Sequence, residues 1–245
     1  MMENSTADTS YMDRNVSRVR ERIVSAAKQA GRDPSDVTLL AAVKYADTAE
    51  VNYLHDVLGI RDVGENRVQQ LLDRWDTLHR EDLRVHFIGT LQTNKVKYII
   101  DKVCMIHSLD SLKLAAEIDR QAKKHGICMD VLCEINSGHE ASKSGVAPED
   151  AAQFCQSLAA YPNLRLCGFM TMAPKCEKNE EFCKYFSETS ALALDIWQKK
   201  LDNIDKPVLS MGMSESFEPA ILSGATMVRV GRRLFASPEQ DVKTV

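Results

Sequence analysis

A lysine ends an apolar run in TLLAAVK, residues 38–44. An ammonium beside an apolar core is costly unless it is paired or neutralised. Lysine, unlike arginine, gives up its proton when desolvated and then acts as a nucleophile that forms Schiff bases. Lys44 is therefore the first candidate for chemistry, set against the plainer reading of a rim lysine whose head reaches water. Two other stretches suit a phosphate. SMGMS (210–214) runs into a predicted helix, so backbone N–H groups and the helix dipole would face an anion there. RVGRR (229–233) supplies Gly231 for close approach of a ligand to the backbone. Either stretch alone has a plain alternative, with Ser214 as a helix cap and Arg233 as a solvated surface charge.

The elements around these residues alternate. An amphipathic helix is predicted over 15–30, with Val16, Val19, Ile23, Ala26, Ala27 and Ala30 on one stripe. Eight apolar strands follow: VTLLAAV, IRDVG, RVHFIG, KVCMIHSL, MDVLCEIN, LRLCGFMTM, PVLSMG and TMVRVG. Helical stretches separate them, among them ENRVQQLLDRWDTLHR (65–80) and NEEFCKYFSETSALALDIWQKKLD (179–202). Gly59 is expected to end the helix TAEVNYLHDVLG, and LDSLKLAAEIDRQAKKHG is capped by Asp110 or Ser111 in front and Gly126 behind. Near-continuous apolar strands alternating with helices point to a parallel sheet covered on both faces. Eight units in 245 residues suggest a single closed (β/α)₈ TIM barrel with an extra N-terminal helix. RRLFASPEQDVKTV is too short for a full closing helix, so the N-terminal helix is expected to fill that gap in the outer ring. An open doubly wound sheet is the second choice, but no glycine-rich dinucleotide loop follows the first strand.

In such a barrel, chemistry sits at the C-terminal ends of the strands, and phosphates bind at the loops after strands seven and eight. Lys44, Asn66, Asn136, Thr171, Ser210–Ser214 and Arg229–Arg232 converge on that rim, and His86 lies within strand three. A strand-end lysine facing a phosphate cradle suggests pyridoxal 5'-phosphate (PLP).

Composition narrows the classes further. A net charge of −4 argues against nucleic-acid or anionic-membrane partners, and no apolar run reaches membrane-span length. The polar, acidic start MMENSTADTSYMD is not a secretory signal, and residues 1–12 are expected to form a disordered tail ahead of one domain over 13–245. Seven cysteines without a CxxC pair fit reduced thiols in a cytoplasmic protein. The six histidines show no metal-ligand spacing.

Seven ordered motifs then carry a resemblance. LLAAVK (39–44), GENRVQQ (64–70), HFIGTLQTNK (86–95), SKSGV (142–146), GFMTMAP (168–174), SMGMS and MVRVG (227–231) are similar to those of the pyridoxal phosphate homeostasis proteins. That family has the alanine racemase N-terminal fold, known as PLP fold type III. The resemblance implies that Lys44 holds PLP as a Schiff base, and that Ser210, Met211, Met213 and Ser214, with Gly231 and Arg232 opposite, cradle the phosphate. It also implies that Arg229 faces the pyridine nitrogen and that Asn66 and His86 line the pocket. The chain departs from the family pattern at VKY, where SKT is common, and at Arg232 and Arg233, where a hydroxyl and a small residue are usual. Glu215 is followed by Ser216 in place of a second acid.

The implied role is binding, buffering and delivery of PLP to apoenzymes by a non-catalytic monomer. The rival is a PLP-dependent racemase or related catalyst. Racemisation needs a base on each face of the α-carbon. Lys44 could serve one face, whereas Tyr45, its neighbour on a strand, is expected to point the other way. Racemases also carry a β domain that completes the site and the dimer, and none is expected after residue 245.

Overall fold

The computed structural model describes residues 9–140, 143–198 and 207–237. Eight parallel strands close on themselves in sequence order, β1 to β8, with β8 returning to pair with β1. They are β1 Thr38–Ala42, β2 Asp62–Glu65, β3 Arg84–Phe87, β4 Met105–Leu109, β5 Met129–Ile135, β6 Leu164–Thr171, β7 Val208–Ser210 and β8 Met227–Val230. The chain is thus a single (β/α)₈ barrel, as the alternation predicts, and no open sheet edge remains among the described residues.

Among the described residues, eight α-helices surround the strands: α1 Ser10–Gln29, α2 Thr48–Asp56, α3 Val68–Arg74, α4 Leu112–His125, α5 Ala151–Ser157, α6 Asn179–Gln198, α7 Phe217–Leu222 and α8 Arg232–Phe235. Local signals set many of their ends. Asp47 and Glu50 exchange side-chain and backbone bonds at 2.8 Å, a capping box that starts α2. Ser111, not Asp110, caps α4, and Gly126 ends it in the left-handed region at φ 67°. Gly59 is left-handed as well, at φ 63°, two residues after the C-cap Val57.

Three predictions are corrected. The helix placed at 65–80 begins only at Val68, because Glu65 stays in β2, paired with Phe87. The helix at QTNKVKYII is a 3₁₀ turn over Thr93–Tyr98. The first helix starts at Ser10, so Ser10–Met12 belong to it rather than to the tail, and Met12 is fully buried. Residues 1–8, the C-terminal end of the long helix at 199–202 and Ser142 of SKSGV lie outside the described residues.

The N-terminal helix does fill the gap beside the short α8. It packs against α7 and α8. Asn15 donates to the carbonyls of Leu234 and Ala236 at 3.2 and 2.9 Å, and Arg22 pairs with Glu218 of α7. The main apolar core lies between strands and helices. Two separate apolar clusters, around Leu40, Ile88 and Met227 and around Leu132, Cys167 and Met170, lie apart from it.

Candidate functional site

Barrel geometry brings Lys44 and the two phosphate-type loops to one rim. β1 pairs with β8, so the turn after Ala42 lies beside Gly231. A Cβ added at Gly231 would meet the Ala42 carbonyl at 2.8 Å, which makes glycine necessary at this close approach. Strand β1 ends at Ala42, and Lys44 stands exposed in the following turn. It is therefore a rim lysine, and the desolvation expected of a strand-buried ammonium is not present. Gln70 of α3 holds the turn by donating to the Lys44 carbonyl at 3.2 Å.

Tyr45 does not point away from Lys44. Both residues lie beyond the strand, and the Lys44 Nζ sits 4.5 Å from the Tyr45 ring centroid. A hydrogen bond with Lys44, and then the charge of Lys44, lower the Tyr45 phenol below its ordinary range.

The loops after β7 and β8 are tied to each other. Gly231 N donates to Ser214 Oγ at 3.3 Å, Arg229 N donates to the Gly212 carbonyl at 3.0 Å, and Arg233 Nε donates to the Ser214 carbonyl. Ser214 is thus a bridge between loops and not a helix cap. Helix α7 begins only at Phe217, so SMGMS leads into a turn before the helix. Arg233, expected to be free in solvent, is held by Ser214 and by Glu215 at 3.0 Å. Arg232 remains largely exposed, 3.8 Å from Glu215. Met213 is partly exposed, whereas Met211 is fully buried in the main core, with its N–H given to the Met227 carbonyl. The Met211 side chain is therefore not on the rim. Asn66 is half-buried, and its carbonyl would lie 2.1 Å from a Cβ at Gly89, which explains that glycine.

Beneath the rim, side chains from six strands meet, which only the barrel interior permits. Arg229, 4% exposed, donates from Nη1 to the Ser210 carbonyl and to Ser210 Oγ at 2.5 and 2.8 Å, and from Nη2 to the Thr171 carbonyl at 3.0 Å. Burial lowers the Arg229 pKa to about 10, with Glu134 opposing. Ser210 Oγ also lies 3.1 Å from His107 Nδ1. His107 Nε2 is 3.0 Å from His86 Nδ1, and His86 Nε2 is 3.0 Å from Asp62 Oδ1. Arg84 clamps Asp62 from the far end. Burial first, then Asp110, push the Glu134 carboxyl up to about 7, against the pull of Arg229.

Sequence reasoning placed Lys44, Asn66, His86, Ser210, Ser214, Arg229 and Gly231 around this region. It missed Asp62, His107 and Glu134. Each shares its strand with another polar residue, Glu65 in β2, Ser108 in β4 and Asp130 in β5, so none stood out in the sequence.

The protein-family model described as alanine racemase, N-terminal domain, matches residues 7–238. The chain is 43% identical over 220 residues to the pyridoxal phosphate homeostasis protein of Aquifex aeolicus, covering 90% of this chain and 95% of that one. It is 39% identical over 224 residues to the protein of the same name from Pseudomonas aeruginosa, covering 91% and 94%. Among solved structures, PipY of Synechococcus elongatus with PLP bound superposes with a TM-score of 0.76 at 29% identity, covering 89% of this chain and 100% of PipY. With its motifs in order around a matching barrel, the chain belongs to the pyridoxal phosphate homeostasis proteins, within the alanine racemase N-terminal domain family.

Proposed function

We propose that this protein binds PLP at the C-terminal rim of its barrel, buffers it and passes it to apo PLP-dependent enzymes. It acts as a monomer and without turnover of its own. Lys44 carries the cofactor's aldehyde as a Schiff base. The loops of Ser210–Ser214 and Gly231–Arg232 hold the phosphate, and Arg229 faces the pyridine nitrogen. When bound, PLP supplies an electron sink conjugated to that imine.

One observation carries the reading: a buried guanidinium, locked by Ser210 and Thr171, beneath a rim where Lys44 and Gly231 adjoin. A fixed cation beside the pyridine nitrogen disfavours its protonation and weakens the ring as an electron acceptor. The contact of Tyr45 with Lys44 bears on the racemase reading. A phenol and an amine sharing one turn lie on one side of the site, so together they do not supply a base on each face. The binding named for the relatives supports the cofactor, and their naming as homeostasis proteins supports the absence of turnover.

The test is borohydride reduction of the PLP-loaded protein, followed by peptide mapping. A phosphopyridoxyl group on Lys44 is expected, along with no accumulation of D-alanine from L-alanine. Label on other lysines alone would refute the assignment. Multiple turnovers to D-alanine, abolished by Lys44→Ala, would make the protein a racemase.

A further inference from the structure

The hydrogen-bond chain inside the barrel has a direction, and Asp62 sets it. Burial pushes the Asp62 pKa up, but hydrogen bonds from His86 and Arg84 outweigh burial and leave it lowered. An ionised carboxylate only accepts, so His86 Nε2 must carry the proton that it shares with Asp62. With that single proton on the ring, His86 presents a bare Nδ1 that accepts from His107 Nε2–H at 3.0 Å. Burial first, and the positive charge of Arg229 as well, hold His107 well below the ordinary histidine range, so this ring is neutral. Its bare Nδ1 accepts the Ser210 hydroxyl proton at 3.1 Å. The lone pairs of Ser210 Oγ are then turned toward Arg229, which donates to it at 2.8 Å. Every donor in the chain points from Arg229 toward Asp62, and the guanidinium meets an acceptor already oriented for it.

We propose that Asp62, His86, His107 and Ser210 are positioning residues, a one-way hydrogen-bond relay that fixes the Arg229 guanidinium where it would face the pyridine nitrogen of the cofactor. The proposal rests on the PLP reading for what Arg229 faces, but the relay itself exists without cofactor. It gives Asp62 and His107 a role though neither reaches the rim. It also assigns the Ser210 hydroxyl to the relay, leaving the backbone of its loop for the phosphate. A proton added to His86 would reverse each bond as far as Ser210, because His86 Nδ1 would become a donor and His107 would have to change tautomer.

The relay can be read in the apoprotein. Long-range ¹H–¹⁵N spectra of protein labelled with ¹⁵N-histidine should show both His86 and His107 as Nε2–H tautomers at neutral pH. An Nδ1–H tautomer on either ring would overturn the relay. Asp62→Asn, nearly isosteric, introduces an amide that can donate to His86, and it should raise the Nδ1–H population of both rings. In the PLP-loaded protein the same substitution should shift the absorption maximum of the bound cofactor, as should Ser210→Ala, which removes a single hydroxyl. Altered tautomers with an unmoved absorption maximum in both variants would overturn the positioning role. Failure of the parent protein to take up PLP would count against the functional reading instead, and the tautomers would still decide the relay.

Discussion

Glu134 is the residue whose environment makes the sharpest claim about pH. Its carboxyl is 4% exposed, and burial with Asp110 raises its pKa from 4.5 to about 7. Between those values the folded state holds a proton that the unfolded state has released. Stability must therefore fall as pH rises through that window, by up to about 3 kcal/mol. The cost is absent below the unfolded value and complete above the folded one. Glu134→Gln should remove this slope, so the variant should gain on the parent at pH 8 and show no gain at pH 4.5. Urea unfolding at the two pH values checks it, and an unchanged slope in the variant would refute the assignment. The residue scale is also where the sequence was least explicit. Lys44 and Arg229 could be named because a charge ending or interrupting an apolar strand is conspicuous. His107 could not, because its partners lie 21 residues before it and 103 residues after it in the chain. Only closure of the barrel makes them neighbours.

Among the elements, α3 has a task beyond covering β2. Glu65, 1% exposed at the end of β2, faces Arg74 of α3 at 3.4 Å, yet neither carboxylate oxygen has an aligned hydrogen bond. Burial raises the Glu65 pKa, and Arg74 opposes the rise. Arg74 also donates to the Ala46 carbonyl at 2.9 Å, so it braces the turn that carries Lys44. Removing one member of a buried pair leaves an uncompensated charge and costs about 3–5 kcal/mol, whereas removing both often costs little. Arg74→Met is therefore expected to lower stability by about 3 kcal/mol at pH 8. The loss should shrink toward pH 5 as Glu65 takes a proton. Adding Glu65→Gln should recover much of it, and denaturant midpoints of the parent and the two variants check this. A single mutant as stable as the double mutant at pH 8 would show that the pair carries no buried charge. This brace was hidden in the sequence because Glu65 was assigned to a helix. Strand pairing with Phe87 overrides the helical preference of Glu65, and the helix begins only at Val68.

At the scale of the molecule, the alternation of eight apolar strands with helices was enough to read the barrel and its rim. Apolar strand runs report burial on both faces, and the chain has the length for eight units. The inner polar layer was not legible, since a barrel interior filled by Asp62, His86, His107, Glu134 and Arg229 differs from the usual branched apolar filling.

Helix α1 rests on the last elements of the fold. Its apolar face, including Met12, Val16, Val19 and Ile23, is covered with the help of α7 and α8, and Asn15 bonds to residues 219 and 221 positions later. During synthesis the ribosome makes this face long before its cover. At about 5–20 residues per second the helix waits on the order of 10 seconds or more for its partners to emerge. A nascent chain stalled before residue 217 should therefore expose the α1 face to protease and to hydrophobic dyes, and the full-length chain released from the ribosome should not. Equal protection of both would mean that α1 docks without α7 and α8. A helix translated far ahead of its cover is thus late to find its place, and the growing chain carries an adhesive surface throughout that interval.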